Sequence, residues 1–192
     1  MTQDDNQPMP ACDQGSGRTT EEMSRVCGKA IAFVLAFDPD SNAPVKPAIE
    51  ALRHTGVSGI YLLACPLRSE QIVEEVRTIH FKGNRLLIQP IECDPAALEG
   101  MPSSPDKLVP SDLPQGLLEI FRVLAESSLD AYESVLVVDA SENRYSADGL
   151  FDLCCKVSAD ADTGTASYGD EESQRFPTAL SRSYLEEASQ SV

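Results

Sequence analysis

Apolar residues along this chain recur in two alternating patterns, continuous runs and helical stripes. Continuous runs occupy Ala30–Ala36, residues 58–65 and Ser134–Asp139, and a shorter run covers residues 85–89. Short apolar runs that end at Gly, Pro, Asp or Ser are typical of strands covered on both faces. The sequence therefore predicts four buried strands.

A stripe of apolar residues at helical spacing follows each run, after a loop of variable length. The stripes are Ile49 and Leu52, then Ile72, Val73, Val76 and Ile79, then Leu117, Leu118, Phe121 and Leu124, and finally Leu150, Leu153 and Val157. Residues 69, 111, 112 and 146 are Ser or Asp, and such side chains cap helix starts. Residues 178–187 also have a helical pattern, so we expect helices at all five places.

Strands that alternate with amphipathic helices imply right-handed crossovers. We therefore expect residues 26–188 to form one three-layer, Rossmann-like α/β domain around a mainly parallel sheet. Residues 1–25 have almost no apolar side chains and are predicted to be a disordered acidic tail, and residues 189–192 a second tail. The loop over residues 90–110 is long and rich in Pro, Asp and Ser, so we expect it to form a functional rim.

The charge of the chain argues against two classes of partner. The formal net charge is −16 and the isoelectric point is about 4.4. The average surface potential therefore repels phosphate backbones and anionic lipid head groups. We expect binding neither to nucleic acid nor to membranes.

Features that indicate export or oxidation are missing from the sequence. The first residues lack the basic and apolar segments of a signal peptide, and no apolar run approaches the ~20 residues that span a bilayer. We therefore expect a cytoplasmic protein. Its cysteines show no two-residue spacing of the kind found in zinc or thioredoxin-like sites, so reduced thiols are expected. They are Cys12, Cys27, Cys65, Cys93, Cys154 and Cys155.

Several short segments carry a resemblance to one family. They are residues 31–36 (IAFVLA), 46–52 (KPAIEAL), 55–63, 99–104, 115–118, 135–139 (VLVVD), 146–150 and 176–186. In this order they resemble the MobA-like nucleotidyltransferases, which attach CMP or GMP to molybdopterin. The resemblance covers residues 28–188, although Phe176 stands where the family usually has His.

The resemblance implies both a fold and a site. The fold would be of the GT-A, or nucleotide-diphospho-sugar transferase-like, type. Ala36 and Lys46 would contact the nucleotide, and Asp139 would hold Mg²⁺. The implied ligands are CTP or GTP and molybdopterin, and the implied protein partner is a molybdenum enzyme.

The loop after the first strand departs from the family. Members bind phosphates there through glycine amides and basic side chains. Residues 38–45 (DPDSNAPV) contain two acids and two prolines instead. Proline has no N–H, and each close carboxylate repels a phosphate by about 1–4 kcal/mol. We therefore expect a degenerate member of the family with impaired nucleotide binding.

Two interpretations of the acids in this loop stay open. Asp38, Asp40 and Asn42 resemble the start of a calcium loop, although Ala43 and Ile49 replace its usual Gly and Glu. In the simpler interpretation, Asp38 and Asn42 cap the loop and the following helix through local bonds.

Two alternative functions also remain. One is an active Mg²⁺-dependent molybdenum cofactor nucleotidyltransferase, in which the 90–110 loop and Asp139, with Glu142 as a weaker second ligand, replace the missing cradle. The other is an acidic, non-catalytic module that recruits a basic protein.

Overall fold

Six strands and six helices make up the part of the chain that the structure describes. The computed structural model describes residues 20–38, 41–79, 87–93, 113–140, 145–158, 163–165 and 177–190. The elements are α1 Thr20–Cys27, β1 Ala30–Ala36, α2 Lys46–Thr55, β2 Gly59–Ala64, α3 Pro66–Thr78, β3 Leu87–Glu92, α4 Gln115–Ser128, β4 Ser134–Asp139, α5 Ala147–Ser158, β5 Thr163–Thr165, β6 Thr178–Ser181 and α6 Arg182–Gln190. The order confirms the predicted alternation of strand and helix through β4.

The strands form one mostly parallel sheet in the order β3-β2-β1-β4-β6-β5. β1 lies between β2 and β4 and is parallel to both, with Ala36 opposite Ala64 and Leu35 opposite Asp139. β6 runs antiparallel to β4 and to β5. The predicted three-layer, Rossmann-like α/β class is therefore confirmed.

Both faces of β1 are buried, because helices cover the sheet on each side. Its even-numbered residues, such as Ala32 and Val34, lie in the core under the stripes of α1, α2, α3 and α5. Its odd-numbered residues, such as Ile31 and Phe33, lie in a second core under α4 and α6. The unbroken apolar run of the strand follows from this double burial.

α1 lies within the segment that we predicted to be disordered. It begins at Thr20, so the expected tail boundary at residue 25 is wrong, while residues 1–19 and 191–192 lie outside the described residues. Two apolar side chains fix the helix, since Met23 is 7% exposed and Cys27 is fully buried. Such sparse apolar residues, one helical turn apart, are easily missed among polar neighbours.

Two other element boundaries differ from the prediction. β3 extends to Glu92, so residues 90–92 belong to a strand rather than to the predicted loop, and residues 94–112 lie outside the described part. Pro90 is tolerated because β3 is an edge strand. Residues 178–187 are not one helix, since β6 precedes α6. All four residues of Thr178–Ser181 are buried, because the segment forms a strand that pairs with β4 inside the sheet.

One of the predicted helix caps is confirmed, and the starts of α3 and α4 differ from the prediction. The hydroxyl of Ser146 accepts the N–H of Gly149 at 3.1 Å, which confirms the predicted cap of α5. α3, however, begins at Pro66 rather than after Ser69, because proline is well suited to the first helical turn. No helix in the described part of the chain is long and apolar enough to cross a membrane.

Burial of Tyr132, just before β4, makes the stability of the protein depend on pH. Its ring is buried under the guanidinium of Arg182, and its hydroxyl has no hydrogen-bond partner in the described part of the chain. Burial raises the pKa of Tyr132 to about 12, and the charge of Glu126 acts in the same direction. The unfolded chain then loses this proton near pH 10, while the folded chain keeps it.

We therefore expect protonated Tyr132 to contribute roughly 3 kcal/mol to the free energy of unfolding below pH 10. This contribution is lost as the pH rises to about 12. Tyr132→Phe keeps the ring and removes the titrating group. The free energy of unfolding of this variant should therefore fall less than that of the wild type between pH 10 and about 12. Urea unfolding of both proteins at several pH values measures the difference. Parallel curves for the two proteins would contradict the assignment.

Candidate functional site

The candidate site lies at the carboxyl edge of the sheet, between β1 and β4. Strands continue from β1 to β2 and β3 on one side and to β4 on the other, so the chain connections diverge at this point. Open α/β sheets bind ligands in the crevice at such a switch point. The loop from β1 to α2 and the end of β4 therefore border the place where a ligand is expected.

Ala36 is the last residue of β1, and its side chain faces the core. It is 2% exposed and packs under the helices on the α2 face of the sheet. Its carbonyl accepts the N–H of Cys65 at 3.3 Å, which ties the ends of β1 and β2 together. The expected nucleotide contact of Ala36 stays a prediction, since the side chain itself does not reach the crevice.

Asp139 lies at the end of β4 directly beside β1. It pairs with Leu35, and the next residue, Ala140, donates its N–H to the carbonyl of Leu35 at 2.8 Å. The N–H of Asp139 donates to the hydroxyl oxygen of Tyr145 at 2.8 Å, so the strand end is held from both sides. The structure thus brings Asp139 to the same edge as Ala36.

Two amide donors of the β1–α2 loop are used inside the protein. Ser41 donates its N–H to the carbonyl of Asp38 at 3.3 Å, and Ala43 donates to the hydroxyl of Ser41 at 3.2 Å. Ser41, rather than Asn42, makes this local bond. Pro44 has no N–H to offer. Three of the five described positions from Ser41 to Val45 therefore have no amide free for a phosphate cradle.

A carboxylate from α3 occupies the start of α2. The N-cap of the helix is Val45, which makes no side-chain cap, so neither Asp38 nor Asn42 is the N-cap residue. Instead, Oε1 of Glu75 accepts the N–H of Lys46 at 3.0 Å. An anionic acceptor at this point satisfies an orphan donor and suits the helix dipole. The same position would otherwise attract a phosphate.

The side chain of Lys46 faces solvent. Its Nζ lies 3.9 Å from Oε1 of Glu50, and the two side chains are 58% and 50% exposed. Such surface pairs contribute little to stability, so the ammonium group stays free to meet a ligand. A role for Lys46 in nucleotide binding stays a prediction.

Arg68 is a residue of this edge that the sequence did not reveal. It lies in the first turn of α3 and is 2% exposed. Its Nη2 donates to the carbonyl of Ala43 at 2.8 Å and so fixes the β1–α2 loop. Because residues 68 and 75 are two helical turns apart, Arg68 and Glu75 lie on one face of α3 and hold the loop at two points. The polar sequence around them favoured exposed positions instead.

The metal-binding and nucleophilic groups at this edge are few. Within the described ranges, no three His, Cys, Asp or Glu side chains converge on one point, so Asp139 would have to bind a cation with water and ligand oxygens. Residues 39–40 and 141–144 lie outside those ranges, which leaves the calcium interpretation and Glu142 untested. Burial raises the pKa of the Cys93 thiol, just after β3, to about 11, so this thiol stays protonated at neutral pH.

Comparison with known proteins identifies the fold. No family model and no curated protein matches the sequence. Among solved structures, Rv0371c of Mycobacterium tuberculosis in complex with manganese aligns over 84% of this chain and 75% of its own, with a TM-score of 0.52 and 12% identity. 4-Diphosphocytidyl-2C-methyl-D-erythritol synthase of Anaerococcus prevotii aligns over 88% and 79%, with a TM-score of 0.51 and 10% identity. The chain has a nucleotide-diphospho-sugar transferase-like fold.

A third protein with the transferase-like fold supports this assignment. Glucosyl-3-phosphoglycerate synthase of Mycobacterium tuberculosis, solved with uridine diphosphate, aligns over 87% of this chain and 62% of its own, with a TM-score of 0.51 and 12% identity. The GT-A type that the sequence implied is thus confirmed at the level of the fold.

Glu75→Gln tests whether the carboxylate at the start of α2 excludes phosphates. Glutamine keeps an oxygen acceptor for Lys46 but removes the charge. We expect a stability loss below about 1 kcal/mol and tighter binding of tripolyphosphate, because a repulsion of about 1–4 kcal/mol at contact distance is relieved. Calorimetric titration at constant ionic strength measures the affinity. Glu70→Gln, an exposed site on the same helix, is the control; equal gains in both variants would contradict the role of Glu75.

Proposed function

We propose that this chain is a degenerate nucleotidyltransferase-fold protein that serves molybdenum cofactor maturation without gripping a nucleoside triphosphate through its β1–α2 loop. The state of that loop carries the proposal. Ser41, Ala43 and Lys46 donate their N–H groups to acceptors of the protein itself. Prolines at 39, 44 and 47 have none to donate.

Charge in the crevice supports the same conclusion. A triphosphate that lay against α2 would meet the carboxylate of Glu75 at the helix start and that of Asp38 at the exit from β1. Only Lys46 offers an exposed cation in the described part of this loop and helix start. Repulsion of a polyanion outweighs one solvated ammonium group, whose attraction is screened by water and salt.

The fold and the sequence together support a nucleotide-related or cofactor-related ligand. Similar structures include a 4-diphosphocytidyl-2C-methyl-D-erythritol synthase and a glucosyl-3-phosphoglycerate synthase solved with uridine diphosphate. The link to molybdopterin rests on residues 46–52, 135–139 and 146–150, which resemble the MobA-like enzymes. The described parts of these segments include the start of α2, the end of β4 and the start of α5, which follow or form the carboxyl ends of β1 and β4.

Calorimetric titration with Mg²⁺-CTP and Mg²⁺-GTP tests whether nucleotide binding is impaired. We expect dissociation constants no tighter than about 1 mM, equivalent to roughly −4 kcal/mol. Micromolar binding of either nucleotide, or transfer of CMP or GMP to molybdopterin, would show that the protein is not degenerate. Titration with molybdopterin, followed by its pterin fluorescence, tests the cofactor link separately, and the absence of saturable binding would remove that link.

An active transferase is a second candidate, favoured by the position of Asp139 beside β1 at the switch point. Asp139 would be the residue that holds Mg²⁺, together with water and phosphate oxygens, and the ion would neutralise charge on the phosphates. Lys46 would then supply the positive charge that the loop lacks. In this version, catalysis depends on stabilisation of the phosphate charge by Mg²⁺ and Lys46 rather than on amides of the β1–α2 loop.

Asp139→Asn distinguishes this candidate. If the protein transfers nucleotides, the substitution should abolish turnover, because it removes the anionic ligand while keeping the size of the side chain. Asp130→Asn, an exposed site before β4 at the opposite end of the sheet, should leave turnover unchanged. Unchanged turnover in Asp139→Asn would exclude the metal-dependent version.

A further inference from the structure

Arg68 is a buried cation without a counter-ion among the described residues. It is 2% exposed, whereas the side chains of Lys29, Lys46, Arg77, Arg122 and Arg182, which pair with carboxylates, are 25–69% exposed. Burial of a charge is unfavourable unless an opposite charge and hydrogen bonds compensate it. Arg68 is therefore the cation in the described structure with the greatest need of an anionic partner.

The hydrogen bonds of the guanidinium group are incomplete. Nη2 donates to the neutral carbonyl of Ala43 at 2.8 Å, while the buried Nε has no partner among the residues that the structure describes. A guanidinium group has five donors in a planar fork, and two of them together match two oxygens of a phosphate or carboxylate. Nε and Nη2 form one such pair of donors, and here the carbonyl of Ala43 satisfies one donor of the pair.

The position of Arg68 in α3 also suits an anion. The residue lies in the first turn of α3, whose first turn contains no acid, and the helix dipole adds positive potential there. This turn follows β2 directly at the carboxyl edge, where the N–H of Cys65 bonds to Ala36. Arg68 thus lies at the edge of the sheet where ligands of such folds bind.

The cover over Arg68 is the β1–α2 loop, which its own bonds hold weakly. The two hydrogen bonds described within the loop are long, 3.3 Å for Ser41 to Asp38 and 3.2 Å for Ala43 to Ser41. An anion that replaces the carbonyl of Ala43 exchanges a neutral acceptor for a charged one, and its charge compensates the buried guanidinium, which a carbonyl cannot do. The loop can therefore yield to an anion at modest cost.

We propose that Arg68 is the anchor of an oxyanion subsite that takes a single phosphate group, bound through Nε and Nη2 when the carbonyl of Ala43 moves aside. The subsite differs from the α2 helix start, where Glu75 excludes anions, and it requires neither a triphosphate nor Mg²⁺. It would select ligands with one accessible phosphate, such as a phosphate monoester, over polyphosphates, which need a loop with several free amides. The inference goes beyond the proposed function and does not depend on it.

Inorganic phosphate is the probe, with the full chain free of nucleotide and of divalent ions. In ¹H–¹⁵N spectra we expect saturable shifts of the Arg68 Nε–H signal and of the Ala43 amide, and a rise of Tm with phosphate concentration. Chloride at equal ionic strength should produce neither effect. Acetate tests the carboxylate class, and a response to acetate but not to phosphate would overturn the assignment.

Variants locate the response on Arg68. Arg68→Gln should weaken phosphate binding by at least ~10-fold, the loss expected from one charge-assisted hydrogen bond, and Arg68→Lys should weaken it less because the charge remains. Arg77→Gln, on the exposed end of the same helix, should bind as the wild type does. If Arg68→Gln does not fold, the Nε–H titration of the wild type still decides. Absence of a saturable shift there would show that Arg68 only fastens the loop.

Discussion

The burial of β1 on both faces and along both edges is the constraint on which the structure depends. A strand with helices above and below and parallel neighbours on each side has no polar surface, so its residues must be apolar throughout. Parallel neighbours also bring their carboxyl ends to one edge of the sheet. Ala36, Ala64 and Asp139 therefore end side by side, and the polar chemistry of the molecule collects in the residues that follow them.

The β1–α2 loop shows how α3 changes a familiar architecture. Glu75 takes the amide that begins α2, and Arg68 takes a carbonyl a few residues earlier, so one helix face fastens the loop by two opposite charges. The two contacts have different consequences. The Glu75 contact places a carboxylate on the amide that begins α2, whereas the Arg68 contact leaves a buried donor without a partner among the described residues. We therefore propose separate roles for the two residues.

Apolar patterning predicted the sheet and the helices that cover it, because β1, β2 and β4 have no polar interruption and α2, α4 and α5 have clear stripes. It failed for elements whose position depends on only a few apolar residues. α1 rests on Met23 and Cys27, and β6 is four residues long, so neither leaves enough periodicity to read. At the site, Asp139 was predictable from its place after a β-branched run. Arg68 and Glu75 were not, because their roles come from contacts between α3 and a loop some 25 to 29 residues away in sequence.

Pro90 has a consequence for how the protein behaves among copies of itself. The N–H of Cys93 bonds to Ala64 of β2, so by alternation the backbone groups of residue 90 point away from β2. The outer margin of the sheet thus lacks a donor in the middle of β3. A foreign strand cannot complete a ladder along this margin, which protects the fold from edge-to-edge aggregation.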